Sequence, residues 1–470
     1  MVGSFRIGLL SPSERKNMVY ATIEGCLVVA AVQILASFAS VYVLRLGGSL
    51  KHVGLLTSVP FLLNAAALAL SASIPVSARQ ALRLALFAAV THRAVAAAMP
   101  LAPLFGASSA WWVIATYSAA SAAMSLSASY WTAAVSDMFS PQKRGRVFGI
   151  RAVFTGISGF TATFAGGLLL DAFVFPANFT IVIWLAVALG LTGAYFLTKL
   201  DPPAETDVQA EAVAPARAGG PPGAAGSGSP ASGAGSPAPL AGRARENPPA
   251  TNEAKEPRLA MFRGDAGRSF ARVAAPIAIF NVGFFLTAPI VNVYFIEDLG
   301  FSNSVIGLLT STFVLAQVAG SLVWGVLIDR WGDHTVAFLT TAGMALQAAI
   351  FWLSPSVLFL IAAQAFGGFC FAGVFLGSFN MIISTGDRKH RSQTVTWVNV
   401  CSNFAAFLGP LIGTAALTRI GFVPSFFLAM AFRAIGSALY FRTARGEVGR
   451  IMRGITGSWK AHGRYYRSSS

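Results

Sequence analysis

The chain has 470 residues, of which 55% are hydrophobic and only 11% charged, with a mean hydropathy of +0.64. Charged residues make up about a quarter of an ordinary soluble domain, so this composition excludes a water-covered globule, and most of the surface must face lipid or other apolar helices. The formal charge of +16 does not point to nucleic acid, because the bases are scattered through loops and tails between apolar runs and form no compact basic domain.

A helix that spans a bilayer needs about 20 mostly apolar residues. Six runs of that kind precede the centre of the chain, at 18–44, 53–74, 82–106, 110–136, 147–173 and 178–198. Six more follow, at 271–296, 305–328, 336–353, 357–383, 393–417 and 422–441. They are long and continuously apolar, so they predict helices and not the short alternating strands of a barrel. The expected fold is an all-α membrane protein of twelve transmembrane helices in two six-helix bundles. Residues 1–200 and 269–441 form the expected bundles. Between them, 201–268 reads as a disordered cytoplasmic linker, since the Gly-, Pro- and Ser-rich stretch 219–230 has no apolar periodicity to offset ordering entropy. Residues 442–470 form a basic tail, where Val448, Ile451, Met452, Ile455 and Trp459 recur at helical spacing and suggest a helix lying on the inner leaflet.

Charge sets the expected orientation. With both termini in the cytoplasm, the inner segments hold Arg6, Arg15, Lys16, Arg79, Arg83, Lys143, Arg144, Arg146, Arg151, Arg330, Arg388, Lys389 and Arg391. The outer loops hold only Arg45, Lys51 and Arg419, as the positive-inside bias requires. The expected location is the plasma membrane.

The halves are related in sequence. Leu46-Gly47 answers Leu299-Gly300, and Gly54-Leu55-Leu56-Thr57-Ser58 answers Gly307-Leu308-Leu309-Thr310-Ser311, an offset of 253 positions. Two related membrane-sized halves commonly move a solute through a site between them. Between the eighth and ninth runs lies Gly325-Val326-Leu327-Ile328-Asp329-Arg330-Trp331-Gly332. The twelve runs, the repeat and this G-x-x-x-D-R-x-G loop together resemble the major facilitator superfamily over nearly the whole chain.

That resemblance implies a cytoplasmic gate formed by Gly325, Asp329, Arg330 and Gly332, facing the start of the fifth helix near Arg144, Arg146 and Arg151. The glycines would let two helices approach closely, and the Asp329 carboxylate would complement a helix N-terminus. A plain topological turn is the other reading. The first half lacks the pattern: Val76 and Ser77 stand where the offset places Asp329 and Arg330, and Arg79 replaces Gly332. A latch is therefore expected on one side only. Gly409-Pro410-Leu411-Ile412-Gly413 resembles part of an antiporter signature, but in the eleventh helix and not the fifth, so helix packing is the better reading.

Charges inside a membrane are costly and mark candidate sites. Glu24, in the first helix, is the leading candidate for a proton carrier. His92, Arg93 and Arg433 lie near the middle of the third and twelfth helices. The resemblance makes those two helices supports, so Arg93 and Arg433 are expected to be hydrogen-bonded within their own half, while pairing with a carboxylate or an anionic substrate stays open for Arg93. On the helices the resemblance turns to the cavity stand Gln33, Asn64, Tyr117, Asn281, Asn292, Gln364, Asn399 and Asn403. A few polar groups in an apolar pocket suit a small amphipathic ligand, though each could instead tie helices together.

No Gly-Lys pair forms a phosphate loop, so ATP is not the expected energy source. No catalytic, cofactor or metal site is expected: Cys26, Cys370 and Cys401 fall in apolar runs at no metal-ligand spacing. The expected function is secondary active transport of a small molecule by alternating access, coupled to protons, with export slightly favoured. A monomer in the lipid bilayer with no nucleic-acid partner is expected. A sensor or a membrane enzyme on the same scaffold is the competing class.

Overall fold

The computed structural model describes residues 11–73, 76–136, 138–139, 141–201, 264–351, 353–384 and 391–467, with side-chain surroundings except at 72–73, 78, 133, 136, 141–146, 264–266, 383–384, 391–396 and 446–467. Nearly all of the expected linker lies outside the described residues, as do Arg6, Arg388 and Lys389. The same holds for the side chains of Lys143, Arg144, Arg146, Arg391 and the apolar residues of the tail.

The first half contains α1 (Pro12–Arg45), α2 (Leu50–Ser73), α3 (Ala78–Ala96), α4 (Ser109–Ser136), α5 (Pro141–Ala172) and α6 (Ala177–Leu197). The second contains α7 (Gly264–Val293), α8 (Asn303–Trp331), α9 (Asp333–Ile350), α10 (Val357–Ser384), α11 (Arg391–Ile420) and α12 (Phe422–Arg467). Among the described residues nine helices are long and apolar enough to cross a membrane, or up to ten if the bent pair of α3 and α4 is one span. Helices α3, α4 and α9 make up the shortfall against twelve. Arg79, Arg83 and Arg93 interrupt α3, and α9 is only 18 residues long and opens on Asp333 and His334.

Two boundaries differ from expectation. The third run was expected to be helical to residue 106, but α3 stops at Ala96 and Met99–Ser108 winds as a 3-10 segment. Pro100 and Pro103 have no N–H to donate to an α-helical ladder, and Gly106 takes φ +51°, a left-handed conformation that ends the segment. The tail, expected to form a helix on the inner leaflet, is helical and continues α12, which runs for 46 residues.

The sequence repeat has a structural counterpart. Gly47 (φ +82°) and Gly300 (φ +60°) both turn the chain out of one helix and toward the next, which only glycine does without strain. Ser58 and Ser311, both fully buried, return their hydroxyls to their own helices, Ser58 Oγ to Gly54 O at 2.7 Å and Ser311 Oγ to Leu308 O at 3.0 Å. In hydrocarbon this satisfies a polar group that has no water.

Packing repeats as well. Helix α1 packs on α5 and α6, as α7 packs on α11 and α12. Helix α4 packs on α2 and α3, as α10 packs on α8 and α9, and α3 meets α6 as α9 meets α12. The halves meet through α5 on α8 and through the corresponding pair, α2 on α11.

Small residues allow these meetings. A β-carbon on Gly167 would come within 2.5 Å of the Asn303 carbonyl oxygen, and one on Gly307 within 2.9 Å of the Thr163 carbonyl. Farther along the same pair, Gly156 stands against Val318, and in the other pair Gly54 stands against Thr414. Helices α5 and α8 are thus antiparallel neighbours in contact over much of their length. Gly409 and Gly413 of α11 lie against the Val282–Leu286 backbone of α7, so this glycine pair serves packing within one half.

Candidate functional site

Between the halves at mid-depth lies a cavity of about 370 Å³. Helices α1, α2, α4 and α5 of the first half supply most of its wall, and α8 supplies Val314 and Gln317 from the second. One part of the lining is apolar, with Val28, Val32, Leu68 and Met124; another carries Gln33, Ser121, Ser125, Ser129 and Thr155. None of the lining residues is ionisable.

Several hydroxyls already have partners. Thr155 donates to the Ala152 carbonyl at 3.1 Å, and Ser129 shares a hydrogen bond with Ser71 at 3.0 Å. Asn64 stands behind the wall: Ser121 Oγ lies 3.2 Å from its side chain. With the Asn64 amide nitrogen turned inward, it donates to Pro60 O at 3.1 Å and to Ser125 Oγ at 3.0 Å. Asn64 therefore fixes cavity serines and does not itself line the space.

One turn along α1 from Val28 sits Glu24, 7% exposed. Its Oε2 accepts from Arg151 Nη2 at 3.4 Å. The same guanidinium donates from Nε to the Ala21 carbonyl at 3.1 Å and lies 4.2 Å from the centre of the Trp131 ring. It passes over Gly25, where a β-carbon would collide with it. Arg151, expected at the cytoplasmic gate, is thus turned into its own bundle. Arg151 lies ten residues into α5, where Glu24 of α1 and the Ala21 carbonyl are the acceptors within its reach.

Arg93, 2% exposed, is the second cation close enough to act on Glu24 electrostatically. Its Nη1 donates to Ala89 O at 2.7 Å, and its buried Nε has no hydrogen-bond partner among the described residues. Gly190 of α6 makes room for it. Arg433, also 2% exposed, is held quite differently. It donates to the carbonyls of Gly283 (3.2 Å) and Met344 (2.8 Å), to Gln347 Oε1 (3.1 Å) and to Thr287 Oγ1 (2.7 Å). It ties α12 to α7 and α9 without any carboxylate.

Other sequence candidates do not reach the cavity. Tyr117 packs against the main hydrophobic core. Asn403 donates to Asn399 O in its own helix at 2.9 Å, and Asn292 reaches across the halves to Ser40 Oγ at 3.3 Å. Asn281 is half-buried on α7 and Gln364 is buried on α10, neither in the cavity wall.

At the gate loop, Gly332 (φ +86°) makes the turn between α8 and α9. Gly325 does not work as expected: a β-carbon there would meet nothing within 4 Å, so it permits no close approach. Asp329 and Arg330 are exposed. The first acid of α9, Asp333, accepts from Asn380 Nδ2 of α10 at 2.8 Å. Arg144 and Arg146 belong to the helical first turns of α5, and their side chains lie outside the described residues.

Sequence reasoning missed two residues. Asp171, at the end of α5, crosses to the other half and seats on the N-terminus of α8. Its Oδ1 accepts from Asn303 N (2.9 Å) and Nδ2 (2.8 Å), and its Oδ2 from Ser304 N (2.7 Å). These are orphan donors of a helix start, where a carboxylate is stabilised. Gln317 was also passed over, although the 253-residue offset carries Asn64 onto it.

The chain matches the family model described as Major Facilitator Superfamily over residues 22–264 and 273–459. Among curated proteins it is 29% identical over 175 residues to the efflux pump azaK of Aspergillus niger, covering 37% of this chain and 36% of that protein. It is 25% identical over 183 residues to a D-arabinitol transporter of Klebsiella pneumoniae, covering 37% of this chain and 40% of that one. To the quinolone resistance protein NorA of Staphylococcus aureus it is 25% identical over 137 residues, 29% of this chain and 35% of that protein. The matched stretches thus span well under half the length of these relatives. Among solved structures, a bacterial homolog of the human lysosomal transporter Spinster, inward-facing and occupied, superposes with a TM-score of 0.63 at 15% identity, over 93% of this chain and 98% of that one. The nucleoside transporter NupG superposes with the same TM-score at 12% identity, over 92% and 99%. At such identities the likeness is one of fold.

Proposed function

This chain belongs to the Major Facilitator Superfamily, and from that premise we propose that it is a proton-coupled secondary transporter that exports a small amphipathic molecule by alternating access. It is an integral membrane protein of a family of transporters, not enzymes. The proposed setting is the plasma membrane, with both termini in the cytoplasm and the chain acting as a monomer. The proposed division is a first bundle at 1–200, a linker at 201–268, a second bundle at 269–441 and a basic tail at 442–470.

The observation that carries this reading is the cavity shared by the two halves, with a buried carboxylate one helical turn from its wall. Glu24 and Arg151 form a pair that can open. The pair lies within the first half, so it opens only if α5 shifts against α1 inside that bundle, and a carboxylate left unpaired there would take up a proton. Proton binding and cavity access would then be linked through α5.

Asp171 and Asp329 fit the two gates. In the proposed orientation the Asp171 contact lies on the outer side and is engaged. Asp329 lies at the inner end of α8, exposed. The antiparallel register of α5 and α8 sets Asp329 level with the first turns of α5, where a released latch would stand in an inward-facing state. The names of azaK, an efflux pump, and of NorA, a quinolone resistance protein, support the export direction.

The test is flux in vesicles of reconstituted protein under an imposed pH gradient. Glu24→Gln should abolish gradient-driven accumulation while substrate exchange at equal pH continues. Accumulation at the wild-type rate in that variant would make Glu24 a structural residue and remove the coupling mechanism.

A further inference from the structure

Two side-chain amides stand apart in the cavity wall. Gln33 comes from α1 in the first half and Gln317 from α8 in the second. Both are half-buried, and among the described residues neither makes a hydrogen bond, whereas Ser121, Ser125, Ser129 and Thr155 are all engaged with protein partners. Each glutamine offers two N–H donors and a carbonyl acceptor. Gly159 of α5 stands beside both: a β-carbon there would meet Val29 at 3.1 Å, Gln33 Cγ at 3.4 Å and Val314, one turn from Gln317, at 3.9 Å.

The remaining wall favours an apolar body. Val28, Val32, Leu68, Met124 and Val314 supply it. No ionised group lines the cavity, and the nearest charges, Glu24 and Arg151, already face one another. A charged ligand would enter without a counter-ion and lose its hydration, at a cost of several kcal/mol. A neutral polar group loses far less and regains it through the two amides.

We propose that Gln33 and Gln317 form a two-handed grip, one amide from each half, that selects an uncharged ligand with an apolar ring body and a neutral hydrogen-bonding group such as a carboxamide, ketone or hydroxyl. This deepens the transporter reading and rests on it. Because the two amides ride on different halves, rocking changes their separation. The ligand is held by both in one state and by one in the other, which is the differential affinity that a conformational cycle requires.

The probes are three matched compounds: 4-phenylbenzamide, 4-phenylbenzoate and 4-phenylbenzylammonium. Binding to the full chain in lipid nanodiscs is measured by equilibrium dialysis. The carboxamide should bind at least about tenfold more tightly than either ion, the factor that about 1.4 kcal/mol represents. Gln33→Leu and Gln317→Leu should each weaken it by about three- to tenfold, the loss of one hydrogen bond. Gln33→Glu should move the preference to the ammonium compound, a change of sign that misfolding cannot imitate. Tighter binding of an ion by the wild type, no binding of any of the three, or leucine variants equal to wild type would each overturn the grip. Counterflow in proteoliposomes separates this from the transporter reading. Exchange of an ionic compound with the carboxamide excluded keeps the transporter and sinks the grip. Carboxamide binding through both glutamines without exchange of any compound does the reverse.

Discussion

The two halves share a fold but treat a buried arginine in opposite ways. In the second half Arg433 on α12 reaches the paired helix α9 and is surrounded by carbonyls, an amide and a hydroxyl at 2.7–3.2 Å. In the first half the cation sits on the other member of the equivalent pair, Arg93 on α3 against Gly190 of α6, with one carbonyl partner and an Nε unpartnered among the described residues. The 253-residue offset places Ile277 where Glu24 stands, so the second half has no acid at that point. A fully satisfied charge is a rivet. A charge held by a single long contact beside a second cation is able to change partners. The difference teaches that duplication supplied the scaffold, while the buried Glu24–Arg151 pair belongs to the first copy.

Substitutions can break or sharpen this contrast. Arg433→Met should have the largest effect: it leaves two helices, α7 and α9, with unmet acceptors and should cost on the order of 3 kcal/mol or more, read as loss of folded protein in thermal unfolding. Arg93→Met, measured alongside, should cost only about 1 kcal/mol, since it gives up a single carbonyl contact. Equal losses would erase the distinction between rivet and switch. Asp171→Asn comes next. Removing the charge from a contact with helix-start donors should cost about 1.5–3 kcal/mol, seen as roughly ten- to hundredfold faster labelling of a cysteine placed in the cavity, from the Gly47 and Gly300 side. Unchanged labelling would demote Asp171 to a simple cap. Asp329→Asn should be the mildest in the same assays. An exposed acid should shift unfolding by less than about 0.5 kcal/mol, and a larger loss would mean that its gate is already closed.

Much of the fold was legible because hydrophobic run length and the positions of glycine are one-dimensional signals. The copied segments at 46–58 and 299–311 announced the twofold relation. The 3-10 segment after α3 was legible in Pro100 and Pro103 but was absorbed into an apolar run. The site was harder. Glu24 and Arg151 were both found, yet as members of different devices, because nothing in the sequence shows that α5 lays residue 151 across Gly25. Asp171 lies inside the fifth apolar run, 147–173, and its meaning depends on a helix start 132 positions away. Gln317 could have been reached by carrying Asn64 along the repeat.

The antiparallel contact of α5 and α8 has one more consequence. Each helix carries an acid near its end: Asp171 is seated on the start of α8, and Asp329 stands exposed at the far end of the pair. If the pair tilts as a rod, docking one end lifts the other, and no ligand is needed to enforce the alternation. Two independent doors could stand open together and leak ions. A single beam with a clasp at each tip would have to give up both clasps first, so tightness against leakage would belong to the pair and not to either door.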